Sequence, residues 1–288
     1  MAERSRGARL RPADLGWYVL LTALSVIVLF PVYMTVVRAL SNPSLAIFRT
    51  RPSLTPIDPQ WGAFAQAFRE GGLGRPLLVS LVVTVLIVAA QTVTSISAAY
   101  AFSFLDFPFR RVAFAVTVGT LLLPIEVTLI TNVRTFQDLG WVGIDQTLPQ
   151  AMGAMVLPFT ATAFGIFLIR QGFLGVPRDL QDAALLDGYG HLGFLWKVAV
   201  PVTRPIIGSF VLISFLGAYN QYVWPRQVVT RGDNQTIQLT LREVAGQRLD
   251  QLNLPFAAAI VAAVPVLVLL ILFQRQLVRG LTAGAVKG

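Results

Sequence analysis

The sequence contains no cysteine and only one histidine, His191. Disulfides and thiolate metal sites are therefore excluded. A histidine-based metal centre or a Ser-His-Asp constellation would have at most one of its parts. Charge is scarce as well: charged residues make up 13% of the 288 positions, about half of what a soluble domain carries. No Gly-x-x-x-x-Gly-Lys phosphate loop occurs, so nucleotide hydrolysis is expected to come from another chain. An embedded enzyme would need convergent nucleophile and base residues, and the sequence offers too few.

Apolar residues fill the space instead. They account for 55% of the chain, and the mean hydropathy is +0.67. A soluble core of this size needs more polar surface than that, so the bilayer is the better solvent. The net charge of +9 invites a nucleic-acid reading. However, the basic residues punctuate long apolar runs rather than clustering with aromatics, as positive-inside topology requires.

A spanning helix needs about 20 mainly apolar residues, because the hydrocarbon core is roughly 30 Å thick. Six stretches qualify: Leu15–Val37, Leu77–Phe102, Val112–Thr131, Ala151–Ile169, Ile206–Trp224 and Pro255–Phe273. Arg4, Arg6, Arg9 and Arg11 precede the first. Its apolar run is too long for a signal core, which predicts a retained helix. With the N-terminus in the cytoplasm, the Arg110-Arg111 pair occupies a tight inner turn, and Arg134 stands alone in the outer loop after the third span. Six spans then leave both termini inside. The outer segments Ala39–Pro76 and Pro225–Leu254 are too short to be domains, and no internal repeat is evident.

The inner segment between the fourth and fifth spans runs Val176-Pro177-Arg178-Asp179-Leu180-Gln181-Asp182-Ala183-Ala184-Leu185-Leu186-Asp187-Gly188 and closes on Val198-Ala199-Val200-Pro201. Pro177 suits a first helical turn, and acids favour a helix N-terminus. Gly188 permits a sharp bend, and Pro201 is expected to end a second short helix. The product is a compact helix–turn–helix on the membrane surface, with His191 a solvated loop residue.

Asp182-Ala183-Ala184, Gly188 four positions later and the aliphatic-x-aliphatic-Pro close resemble the EAA loop of binding-protein-dependent ABC importer permeases. The Asp187-Gly188 pair is similar to the sugar-type subset. The resemblance implies that residues 177–201 form the coupling loop, which docks in a groove on an ATPase subunit. It carries Asp182, Ala183, Ala184, Asp187, Gly188 and Pro201 as the coupling residues. Asp182 stands where the family usually has Glu, and Tyr189-Gly190 replaces the usual small pair. The C-terminal Gly280–Gly288 stretch is similar to the tail of maltose-type permeases, which inserts between the ATPase subunits. That assigns Gly280, Thr282, Gly284 and Lys287 to the interface. Without the resemblance, these stretches read as an amphipathic surface loop and a frayed terminus.

Two places are candidates for the solute route. Glu126, in Leu123-Pro124-Ile125-Glu126-Val127, is the only acid inside a predicted span, and Pro124 beside it is expected to break the helix. Intramembrane acids mark pathways or structural pairs; here the pair would be with Arg134. Asn220, Gln221, Tyr222 and Trp224 end the fifth span, either as solute contacts or as an interfacial aromatic belt. The hydroxyl-rich stretch Gln91, Thr92, Thr94, Ser95 and Ser97 is expected to mediate helix packing.

The resemblance covers the whole chain. It implies an all-α integral membrane protein with six transmembrane helices in the bacterial inner membrane. Its expected partners are a homologous second permease, two ATPase subunits that bind ATP and Mg, and an extracytoplasmic solute-binding protein. The chain itself carries no cofactor or metal. Around Glu126 and Asn220 the sequence looks most like the glycerol-3-phosphate branch of the sugar-type class. The rival reading is an ion-coupled secondary transporter acting alone, which would show paired broken helices in two halves; none is evident in the sequence.

Overall fold

The computed structural model describes residues 12–47, 53–247 and 251–285, and every regular element among the described residues is helical. The chain begins with α1 (Pro12–Leu40), α2 (Pro43–Ile47) and α3 (Ala63–Arg69). Next come α4 (Gly74–Phe104), α5 (Arg110–Gly119), α6 (Ile125–Asp138), α7 (Leu148–Val156) and α8 (Ala163–Leu174). The loop expected on the inner side holds α9 (Arg178–Leu186), α10 (His191–Phe194) and α11 (Val200–Val202). The chain closes with α12 (Arg204–Tyr219), α13 (Val223–Val228), α14 (Ile237–Gln247) and α15 (Asn253–Ala285).

The helices fall into two compact units. The first comprises residues up to Gly71 together with Val244–Val261. Its α1 is apolar on every side, with Val26, Ile27, Val28 and Leu29 all exposed, as a helix surrounded by lipid or by other membrane helices must be. The segment after it folds back on the end of α1. Ile57 N–H donates to Ser41 Oγ at 3.2 Å, and Gln60 N–H donates to the Leu40 carbonyl at 2.8 Å.

The second unit, Gly72–Glu243 with Ala262 onward, is organised around α4 packed on α8 and α12. Close approach is possible because α8 carries glycine where it meets its neighbours. A Cβ on Gly165 would stand 2.6 Å from the Phe210 ring, and one on Gly172 would stand 2.9 Å from Ile206. Small residues at helix contacts are the usual device where lipid supplies no hydrophobic drive. The polar stretch of α4 serves this packing as expected: Ser214 Oγ donates to Gln91 Oε1 at 2.6 Å, and Ser95 is fully buried.

The third span is broken at Pro124, as expected, and the fourth, expected to be continuous, is broken as well. Leu123 is extended (φ −82°, ψ 117°) ahead of Pro124, because a proline disfavours helical geometry in the residue before it. The chain restarts as α6 at Ile125. In the fourth span, Pro158 has no N–H for the Ala154 carbonyl. There α7 tightens into a 3-10 turn, Leu157–Phe159, and α8 leaves at 51°. Other helices satisfy the freed carbonyls. Trp224 Nε1 donates to the Ala154 carbonyl at 3.0 Å, and Thr94 Oγ1 to the Thr160 carbonyl at 2.9 Å. The fifth span is also shorter than expected: α12 stops at Tyr219, since the ring of Pro225 would clash with the Gln221 carbonyl in a continuous helix.

Around Trp224 lies one apolar cluster, formed with Val83, Ile87, Phe136, Ala151 and Met155. The Phe136 and Phe159 rings stand 6.0 and 6.1 Å from the indole. Nearby, the buried Gln146 amide donates to the Val228 carbonyl at 2.7 Å and accepts from Thr230 N–H at 3.1 Å, which joins two loops at that end of the unit. A second cluster, around Phe173, Phe194 and Phe210, seats the inner loop.

Gly165→Ala should lower the thermal midpoint of the detergent-purified protein, with overpacking costing about 1–3 kcal/mol. Gly217→Ala has open space around the added carbon and should be neutral or stabilising. Equal midpoints for the two variants would refute the close-packing account.

Candidate functional site

The inner loop starts where α8 closes on itself, with the Gly175 and Val176 N–H groups bonding back to the Gly172 and Phe173 carbonyls at 3.1 Å each. Pro177 is extended (ψ 140°), so it precedes α9 rather than occupying its first turn. Asp179 lies in that first turn, where a carboxylate complements the helix dipole.

A Schellman motif ends α9. Tyr189 N–H reaches back to the Ala184 carbonyl at 2.9 Å, and Gly188 N–H to the Leu185 carbonyl at 3.0 Å. Gly188 takes the left-handed position at φ +78°, which a side chain disfavours. Nothing lies within 4 Å of where its Cβ would be, so backbone angle, not space, requires glycine here. The Tyr189 ring then packs on Gly193, where a Cβ would stand 3.2 Å from Tyr189 Cβ, and the Lys197 ammonium sits 4.5 Å from the ring centroid.

The second helix of the loop departs from expectation at both ends. His191 is its first residue rather than part of a free loop, and His191 Nδ1 lies 3.0 Å from the Tyr100 hydroxyl of α4. Pro201 does not end the helix. It lies within α11, which continues to Val202 and then bends by 80° into α12 at Thr203. Pro201 has no N–H to give, and one turn earlier the helix widens into a π turn, Leu195–Ala199, with Val200 N–H bonded to the Leu195 carbonyl. Pro201 thus shapes the elbow instead of stopping it.

The two alanines of the loop separate in role. Ala184 is buried among the aromatic residues of α4 and α8, whereas Ala183, Asp182 and Asp187 face outward. Beside them stand apolar side chains that a soluble surface would hide: Leu186 is 89% exposed, Leu192 73% and Trp196 53%. Such a patch marks a surface made for a partner. Among the described residues, Asp182 makes no ion pair within the chain. It borders a polar cleft of about 410 Å³ with Asp106, Arg110, Arg178 and Gln181.

The second candidate site lies at the interruptions of the third and fourth spans, which border one cleft of about 410 Å³. Thr120, Leu123, Pro124, Thr128 and Asn132 line it from the third span, and Pro158, Phe159 and Thr162 from the fourth. Irregular backbone at membrane depth is tolerated where it lines a cavity. The sequence reading missed Asn132 and Thr162, although Pro158 in a predicted span was a usable signal, as Pro124 was. A break was expected at Pro124 but not at Pro158.

The predicted pathway residues do not gather there. Trp224 touches the cleft but is 3% exposed, with its N–H committed to Ala154. It is a core anchor rather than a free stacking surface. Asn220 and Tyr222 are engaged by α14: Gln238 Nε2 donates to Asn220 Oδ1 at 3.2 Å, and the Arg242 guanidinium stands 5.4 Å from the Tyr222 ring. Gln221 is half-buried beside them. Glu126 lies in the first turn of α6 by its backbone, and its side chain falls outside the described residues. The last helix continues through Ala285. The backbone at Gly280, Thr282 and Gly284 is therefore helical, and Lys287 lies outside the described residues.

Residues 1–283 match the family described as "Binding-protein-dependent transport system inner membrane component". The chain is 29% identical over 98% of both lengths to the sn-glycerol-3-phosphate transport system permease protein UgpE of Yersinia pestis bv. Antiqua. It is 31% identical to the protein of the same name from Brucella abortus, over 89% of this chain and 91% of that one. Its fold is similar to a chain of a bacterial ABC transporter involved in the import of the acidic polysaccharide alginate. That match has a TM-score of 0.79 at 20% identity and covers 95% of this chain and 99% of the other. A second solved structure, the alginate transporter in complex with its pentasaccharide-bound periplasmic protein, gives 0.58 at 16% identity, covering 89% and 92%. With six potential spans and the loop geometry above, the chain belongs to the binding-protein-dependent transport system inner membrane component family and is a permease subunit of an ABC importer, not an enzyme.

Proposed function

We propose that this permease pairs with a homologous second permease and two ATPase subunits to import a polyhydroxylated solute by alternating access. The solute would be a carbohydrate or a glycerol-3-phosphate-type ester, handed over by an extracytoplasmic binding protein. ATP and Mg belong to the ATPase subunits. The loop from Arg178 to Val202 faces the cytoplasm, with both termini, in keeping with Arg110, Arg111, Arg178 and Lys197 on that side.

One observation carries the reading: the loop presents Asp182, Ala183, Leu186 and Asp187 outward while Ala184 and Phe194 root it in the aromatic core. A docking element needs both an open apolar face and a rigid seat. Asp182 is free to pair with a basic residue of the ATPase groove, and the C-terminal stretch with Gly280, Thr282, Gly284 and Lys287 supplies a second contact. Closure of the ATPase pair on ATP pushes the loop and tilts the spans it is seated on, and hydrolysis resets them. The cleft at the two interruptions, with the half-buried Asn132 amide and the Thr162 hydroxyl, is this subunit's share of the solute route; Glu126 stands close by in sequence.

The transporter, reconstituted with its binding protein, is expected to hydrolyse ATP faster with one solute among sn-glycerol 3-phosphate, a glycerophosphodiester, maltose and trehalose. Asp182→Lys should lower uptake about tenfold or more in a complex that still folds. Wild-type uptake in that variant would remove Asp182 from the docking face. Gly188→Ala forces a side chain into the left-handed region at a cost of about 1–2 kcal/mol. Hydrogen exchange at the Tyr189 amide should then speed up by roughly 5–30-fold, and Gly188→Asn should show less of this change. An unchanged amide would mean that the motif is not what holds the turn.

A further inference from the structure

The inner loop is seated on the membrane helices almost entirely by apolar contact. Phe194 stands 5.1 Å from the Phe104 ring at 88° and 6.4 Å from Tyr100, and Phe104 stands 5.7 Å from Phe173. Such contacts seat the loop firmly, but their preferred geometries are broad, so they fix its angle less sharply than a hydrogen bond does. A hydrogen bond weakens steeply with angle and distance. Apart from the local bonding of Thr203 Oγ1, to the Ala199 carbonyl at 2.7 Å, the one side-chain hydrogen bond among the described residues that joins residues 178–202 to another element is Tyr100 to His191, at 3.0 Å.

The two ends of this bond differ in stiffness. Tyr100 is 6% exposed, fixed one turn before α4 ends, and packed 5.1 Å from Phe104. His191 is the first residue of the loop's second helix, its ring edge-on to Tyr100 at 76° and its other side open. A tyrosine hydroxyl both donates and accepts, so either imidazole tautomer completes the pair.

We propose that the Tyr100–His191 hydrogen bond is a strut that fixes the angle of the coupling loop's second helix on α4, so that displacement of the loop moves α4 instead of being lost as a change of that angle. This rests on the reading of the loop as the ATPase docking element. Tyr100 and His191 are positioning residues that touch neither solute nor nucleotide. Losing the bond leaves the aromatic seat in place, because Tyr100→Phe removes one oxygen and keeps the ring. The consequence falls on coupling: ATP is still hydrolysed, but less solute moves for each one spent.

The experiment measures solute imported per ATP hydrolysed by the complete transporter with its binding protein in proteoliposomes, using the radiolabelled solute that stimulates the wild type. Tyr100→Phe and His191→Ala are each expected to lower the ratio about fivefold or more. The double variant should be no worse than either single one, because both remove the same interaction. His191→Asn, whose amide places a polar atom near the position of Nδ1, should restore most of the ratio. An unchanged ratio in Tyr100→Phe would overturn the strut, as would uptake and hydrolysis falling in parallel. Asp182→Lys is assayed alongside. If it impairs uptake while Tyr100→Phe does not alter the ratio, the docking role stands and the strut is wrong. If Asp182→Lys also has no effect, the docking role fails and the strut falls with it.

Discussion

In an apolar medium, every backbone carbonyl that loses its helical partner must find a donor inside the protein, and the second unit of this chain is arranged around that requirement. Pro158 deprives the Ala154 carbonyl of its partner, and the Trp224 indole, 70 residues further along the chain, supplies the replacement. The same interruption frees the Thr160 carbonyl, which Thr94 of α4 serves. These two bonds bring α4, the α7–α8 break and α13 to one place. The apolar cluster of Phe136, Met155 and Trp224 closes around them. A broken span without such donors would cost several kcal/mol per orphaned group.

The same logic separates the two ends of the unit. At the interruptions, irregular backbone and polar side chains border a cleft, which suits passage. At the inner loop, strict local geometry dominates. A Schellman turn, a π turn at Pro201 and an 80° elbow at Thr203 present a rigid face on an aromatic seat. On the proposed function, force enters through the stiff end and solute leaves by the end that opens.

The family motif acquires a physical meaning residue by residue. Ala184 is small because it is buried against α4 and α8 and lends its carbonyl to the turn. Gly188 is glycine because of its positive φ, and Tyr189 replaces a small residue by lying on Gly193. Asp182, Ala183 and Asp187 are left to face outward. One short motif therefore mixes positions that shape the loop with positions that face outward, and spacing alone does not distinguish them.

The sequence by itself determined the solvent, the helical class and the position of the inner loop, because these depend on composition, run length and local turn chemistry. Pro124 was legible as a break, since a proline acts on its own neighbours. Only the tertiary structure decided what each polar residue is for. Trp224 and Asn220 read equally as solute contacts or as an interfacial belt, and their partners, Ala154 and Gln238, stand 70 and 18 residues away in the chain. His191 read as a solvated residue until Tyr100 stood 91 residues before it. A hydrogen bond between distant helices leaves no periodicity in the sequence, whereas a proline, a glycine turn and an apolar run each carry their consequence locally.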